Sequence, residues 1–125
     1  MHKQWVIVLG ADKESSDWLD AVLPEAGCRR WTMDTAEECL LALSGTKGLP
    51  AVVADLDVVE LDDHFFERMF QADSGCSAIV LSSRTYHPEL KEAMRRNIFA
   101  ALRKPCSSRE LRICLQALLE KEKNG

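Results

Sequence analysis

Three short runs, Trp5 to Leu9, Ala51 to Ala54 and Cys76 to Leu81, are apolar almost throughout rather than at alternate positions. A strand with that pattern is buried on both faces. Ile98 to Leu102 adds another, and Arg29 to Met33 a short one exposed on alternate residues. Helix punctuation follows each strand. Ser15 and Ser16 can cap a helix carrying Trp18, Leu19, Val22, Leu23 and Ala26 on one face, with Gly27 as its stop. Asp34 and Thr35 each stand three residues before a glutamate, the capping-box spacing, ahead of Cys39, Leu40 and Leu43. Asp62 or Asp63 is the cap expected for His64 to Gln71. Pro88 suits the first turn of a helix to about Asn97. Ser107-Ser108-Arg109-Glu110 is a further capping box, before Leu111, Cys114, Leu115, Leu118 and Leu119.

Strand and helix thus alternate five times, so the expected class is α/β: a five-stranded, doubly wound parallel sheet with five helices. Parallel strands need crossovers, and helical crossovers cover both faces of the sheet. Right-handed crossovers bring the strand C-termini to one edge. Gly10-Ala11-Asp12, Asp55, Ser82-Ser83 and Lys104 would all emerge there, at the edge where open α/β sheets hold ligands. The 125 residues suffice for one domain. It is expected over residues 1–121, with 122–125 a frayed tail or the start of a linker.

The net charge of −4 argues against direct nucleic-acid binding. No apolar run reaches the roughly 18 residues of a membrane span, and the start lacks the form of a signal peptide. The expected location is the cytoplasm. Cys28, Cys39, Cys76, Cys106 and Cys114 show no CxxC, and His2, His64 and His87 are scattered, so reduced, mostly buried thiols are expected rather than a metal cluster. Cys106, just before a helix, has a second reading as a thiol of lowered pKa. Charge is unevenly spread: residues 55–73 carry seven acids against Arg68 alone, and residues 84–112 eight basic residues against three glutamates. Opposite acidic and basic faces are the expectation.

A lone Asp55 reads as a cap or a solvated carboxylate. Asp55 with Ser82 and Lys104, each at a different strand end, makes chemical sense as a phosphoryl site. The carboxylate attacks the donor, the amine pairs with the charge, and the hydroxyl bonds the phosphoryl oxygens. At this point the chain resembles a known family. Over essentially its full length it is similar to the CheY-like receiver domains of two-component response regulators. The matching pieces are IVLGADKE, DTAEECLLAL, AVVADLDV, AIVLSS and AALRKP. The resemblance implies a flavodoxin-like sheet of order 2-1-3-4-5, with Asp55 as phosphoacceptor, Ser82 as switch hydroxyl and Lys104-Pro105 as the family's Lys-Pro, commonly cis. It implies a phosphorelay role, not an enzyme, with a sensor histidine kinase or another signalling protein as partner.

The departures are specific. Gly10 and Ala11 stand where receivers carry the acidic pair that holds Mg²⁺, so the metal is expected to be weakly held or absent. Its remaining ligands would be Asp55 and the backbone carbonyl of Asp57, and the Asp12 side chain is expected to point elsewhere. Ala101 replaces the switch aromatic, with Phe99 on the same side of an extended strand. The implied interaction face, the fourth helix, fifth strand and fifth helix, carries Lys91, Arg95, Arg96, Arg103, Arg109 and Arg112. It suits an acidic partner or a second copy of the chain. A reading from another class is a haloacid-dehalogenase-like phosphatase, since Asp55-Leu56-Asp57-Val58-Val59 matches DxDx(T/V). That signature ordinarily sits on a first strand, and here it is on the third.

Overall fold

The structure, a computed structural model, describes residues 4–124, with side chains through residue 121. Strand β1 (Gln4–Leu9) lies inside the sheet because Val6 to Leu9 are apolar toward both faces, and all four are fully buried. It pairs in parallel with β2 (Cys28–Met33) and with β3 (Ala51–Asp55). Strand β4 (Ser77–Ser82) pairs with β3, and β5 (Ile98–Arg103) forms the far edge. The order is β2-β1-β3-β4-β5, all parallel, as expected. The more polar strands are the two edges: Arg29 and Thr32 on β2 and Arg103 on β5 are exposed. Charge at an edge discourages pairing with another chain.

Alternate side chains feed two apolar layers. Ile7, Leu9, Val52, Ala54 and Val80 belong to the layer with α2 (Ala36–Gly45), α3 (Asp63–Ala72) and α4 (Lys91–Arg96). Val6, Val8, Val53, Ile79 and Leu81 belong to the layer with α1 (Lys13–Glu25) and α5 (Ser108–Asn124). On α5, Leu111, Leu115 and Leu118 recur at helical spacing and are fully buried. Truncating one to alanine would cost about 2–5 kcal/mol. Gly125 and the side chains of 122–124 lie outside the described residues, while the backbone of 122–124, expected as part of a frayed tail, continues α5.

Three capping expectations are met. Thr35 caps α2 and exchanges hydrogen bonds with Glu38 (3.2 and 3.0 Å). Asp62 caps α3, and Ser107 and Glu110 bond reciprocally at 3.1 Å ahead of α5. The cap of α1 is different: Asp12 Oδ1 accepts from Ser15 N–H at 2.8 Å, while Ser15 is buried inside the first turn. Aspartate is at least as good a cap as serine, and the chain enters the helix sooner than the serines suggested. Pro88–Leu90 forms a 3₁₀ turn ahead of the short α4.

Two further expectations are corrected. A bulge in β5 sets Ile98 opposite Ala78 and Ala100 opposite Ile79, so Phe99 is the extra residue. A bulge breaks the alternation of sides, and Phe99 joins Ala100 and Leu102 in the α1–α5 layer, away from Ile98. The acidic and basic stretches are neighbours rather than opposite faces. Asp63 at the start of α3 accepts from the Glu92 and Ala93 N–H groups of α4 at 3.2 and 2.8 Å.

Candidate functional site

The strand ends meet as the topology requires. Asp12 follows β1, Asp55 closes β3 and Lys104 follows β5, across a peptide bond to Pro105 that is cis. Lys104 Nζ lies 2.7 Å from Asp12 Oδ2, 2.8 Å from both oxygens of Asp55 and 3.2 Å from Asp57 Oδ2. An ammonium has three N–H donors, and three carboxylates surround this one.

Asp55 is 1% exposed at its side chain. Besides Lys104, its Oδ2 accepts from Asp12 N–H and its Oδ1 from Asp57 N–H, each at 3.0 Å. A carboxylate offers about four lone-pair directions, and all four are engaged. Asp57 is held in turn by Ser83, whose N–H lies 3.1 Å from both its oxygens and whose hydroxyl donates at 3.0 Å. Burial alone would lower the Lys104 pKa, but its bonds to Asp12, Asp55 and Asp57 outweigh it and hold it above the ordinary lysine value. The Lys104 ammonium, with the Ser15 N–H, keeps Asp12 below the usual carboxylate range. Burial opposes the same shift in Asp57, and Ser83 and Lys104 overcome it.

The expectation that Asp12 points elsewhere is therefore wrong. Gly10 has φ +60°, so strand alternation ends there and cannot be extrapolated to Asp12. Asp12, Asp55 and Asp57 each present an oxygen to one space, the three atoms lying within 4.8 Å of one another. The cation they share is Lys104. Gly10 has a second consequence: a Cβ there would meet Val59 Cγ1 at 2.8 Å and Val58 Cγ1 at 3.1 Å. The loop after β3 closes over the place where an acid of the expected pair would stand. Asp12, Asp55 and Asp57 are the acidic groups that could face a Mg²⁺ ion here. The ion demands near-octahedral oxygen coordination at about 2.1 Å, while the oxygens of Asp55 are spent and an ammonium sits among the acids.

Ser82 is buried, but its Oγ accepts from Arg84 N–H at 3.0 Å, and among the described residues no hydrogen bond joins its hydroxyl to Asp55 or Lys104. Ser83, one residue on, is the hydroxyl in the cluster; the pair Ser82-Ser83 at the strand end was the only sequence signal for it. Of the expected interaction residues, Lys91, Arg95, Arg96, Arg103 and Arg109 are exposed. Arg95 and Arg96 pair loosely with Glu92, and Arg112 turns to Glu25 of α1 at 3.4 Å. The Cys106 thiol is pushed up by burial and by Glu110, which favours its reading as a packing residue. No helix among the described residues is long and apolar enough to cross a membrane.

No family model matches the chain, and no curated protein does. Solved structures do. A CheY-like response regulator receiver domain protein from Methanospirillum hungatei JF-1 is similar with TM-score 0.77 and 18% identity, over 98% of each chain. The signal receiver domain of an HD domain-containing protein from Pseudomonas fluorescens Pf-5 gives 0.81 and 17%, over 98% of this chain and 99% of that one. The receiver domain of the sensor histidine kinase PA1611 from Pseudomonas aeruginosa PAO1, which has a magnesium ion coordinated in its active-site cleft, gives 0.72 and 17%, over 94% and 98%. The chain has the CheY-like receiver fold. The phosphatase reading is not favoured: its signature starts at Asp55, the last residue of β3, the third strand.

Proposed function

We propose that this chain is a receiver-type module of two-component phosphorelay signalling that works in the cytoplasm by binding partners, with phosphorylation at Asp55 impaired. The observation that carries the reading is the state of Asp55, at 1% exposure with both oxygens engaged by Lys104, Asp12 N–H and Asp57 N–H. A nucleophile needs a free lone pair aimed at the donor, and here it must first be released from its bonds. The adjoining cleft adds to this. Asp57, Glu60, Asp62 and Glu89 line it, with Arg84 as its one cation, so an anionic phosphodonor meets repulsion. Mg²⁺ ordinarily offsets such charge, and in our reading it binds weakly or not at all, because the Lys104 ammonium already lies among the three acids and offsets part of their charge.

In this account Asp55, Asp57 and Asp12 hold a fixed internal cation, and Lys104 fastens β5 to β1 and β3. The domain is not an enzyme. It presents one steady conformation to a sensor kinase or another signalling protein through α4, β5 and α5, with a second copy of the chain as the other candidate partner. The test is incubation with acetyl phosphate and Mg²⁺, followed by intact-mass measurement. The mass is expected to stay unchanged. Prompt gain of one phosphoryl group, lost in Asp55→Asn, would overturn the reading.

A further inference from the structure

The loop joining β4 to α4 borders a concavity of about 590 Å³. Sites that enclose a small organic molecule usually measure roughly 300–1,000 Å³. Pro88, Met94 and Leu102 give this one apolar surface, which stays uncovered because Ala101 beside it contributes only a methyl group and is exposed. Tyr86 lines it at 76% exposure, with its ring left largely in water. Arg84, Lys91 and Arg103 line it too, and no Asp or Glu does. Arg84 is spent on Glu89 at 2.8 Å, whereas Lys91 and Arg103 have no ion pair among the described residues. An exposed ring or a solvated cation is ordinary alone. Here a bare ring, two cations without partners and apolar surface converge on one space that holds no acid.

We propose that this concavity is a binding site for a small aromatic acid, a flat ring packed over Ala101 beside Tyr86 with its anionic groups on Lys91 and Arg103. Each part of the ligand answers a part of the site. A rigid ring covers the apolar surface with no internal rotations to lose, and it can stack offset or meet edge-on with the tyrosine. Lys91 belongs to α4 and Arg103 to β5, so a ligand with two anionic groups engages one cation on each element. A pair formed in a concavity is screened less by water and salt than one on an open surface. A flexible aliphatic diacid carries the same charge, but it lacks the ring and gives up more freedom on binding. The inference goes beyond the signalling reading and does not rest on it, since neither the site nor its occupant involves Asp55 or a partner protein.

The experiment titrates the ¹⁵N-labelled full chain with disodium naphthalene-2,6-dicarboxylate at constant ionic strength. Saturable shifts are expected at the amides of Tyr86, Lys91, Met94, Ala101 and Arg103, with a Kd below about 1 mM, within reach of a ligand of this size. Octanedioate, which keeps both carboxylates and lacks the ring, should bind at least about 10-fold more weakly. Lys91→Glu and Arg103→Glu, both at exposed positions, should each weaken the aromatic diacid several-fold. Ala101→Tyr fills the space and should abolish the shifts, with the same spectrum reporting that the fold is kept; if it is not kept, the two charge variants decide. Equal binding of the two diacids, binding unchanged in the charge variants or in a folded Ala101→Tyr, or shifts that never saturate at millimolar ligand overturn the proposal. So does stronger binding at these amides of a Glu/Asp-rich peptide without aromatic residues, which would make a protein segment the occupant. Self-association in sedimentation velocity that Ala101→Tyr removes would likewise overturn it, because a second copy would then fill the space. Ligand binding is read from amide shifts and acetyl-phosphate labelling from mass, so either reading can fail without the other.

Discussion

Gly10→Ala tests the packing that closes the carboxylate site. Gly10 has φ +60°, a left-handed conformation that costs a residue with a Cβ about 1–2 kcal/mol. The new Cβ would also stand 2.8 Å from Val59 Cγ1 and 3.1 Å from Val58 Cγ1. Valine is stiff about χ1, so the loop must shift, and overpacking of this kind costs about 1–3 kcal/mol. The sum is about 2–5 kcal/mol, or a fall in Tm of about 8–20 °C at roughly 4 °C per kcal/mol. Urea denaturation of the wild type, Gly10→Ala, Val59→Ala and the double variant measures it. The cycle should show a favourable coupling of at least about 1 kcal/mol between positions 10 and 59, because removing the valine methyls relieves the clash and leaves only the backbone term. A loss below about 0.5 kcal/mol, or no coupling, would refute the reasoning. Gly10→Asp, which restores an acid at the expected place, meets the same valines and is expected to leave Mg²⁺ affinity unchanged unless Val59 is also reduced.

Other predictions concern the charges and thiols. Lys104→Ala leaves three carboxylates facing one another and should cost about 3 kcal/mol, the lower end for removing one partner of a buried ion pair because Asp12 is 43% exposed; urea unfolding at pH 7 reads it. The pKa of Lys104 is raised, so its contribution is complete below the ordinary lysine value and fades as pH rises through the higher folded value. Asp12 and Asp57 are lowered, so theirs is complete above the ordinary carboxylate value and fades as pH falls through the lower folded values. Urea midpoints should therefore be flat between about pH 5 and 9 and fall on both sides; a midpoint that rises on acidification below that window would contradict the arrangement. Burial pushes the Cys39 thiol up to about 12, so Cys39 should resist an aromatic disulfide reagent at pH 8 in the native protein and react on unfolding. Rapid native labelling of Cys39, located by peptide mapping, would show that it is not packed as described.

Local rules reached far into this fold. The unbroken apolar character of β1, β3 and β4 already required a covered parallel sheet, and Thr35, Asp62 and Ser107 marked helix starts through side chains that bond backbone N–H groups a turn away. The same topology brought Asp55 and Lys104 together, 49 residues apart in the chain. What stayed hidden depended on breaks in regularity or on tertiary approach. Asp12 joins the cluster because the backbone turns at Gly10, which no strand period anticipates. Phe99 changes layers because one extra residue in β5 resets the alternation. The Ser82 hydroxyl is satisfied locally by Arg84 N–H, leaving Ser83 to hold Asp57. The closure of Val58 and Val59 over Gly10 joins segments nearly 50 residues apart, and nothing in either segment alone requires it.

The central claim is that an internal ammonium already satisfies the three aspartates. Titrating the ¹⁵N-labelled wild-type chain with MgCl₂ at constant ionic strength, and following the amides of Asp12, Asp55, Asp57 and Lys104, tests it most directly. The account predicts no saturable shift at these four positions at millimolar Mg²⁺. A saturable, stoichiometric response confined to them would contradict it.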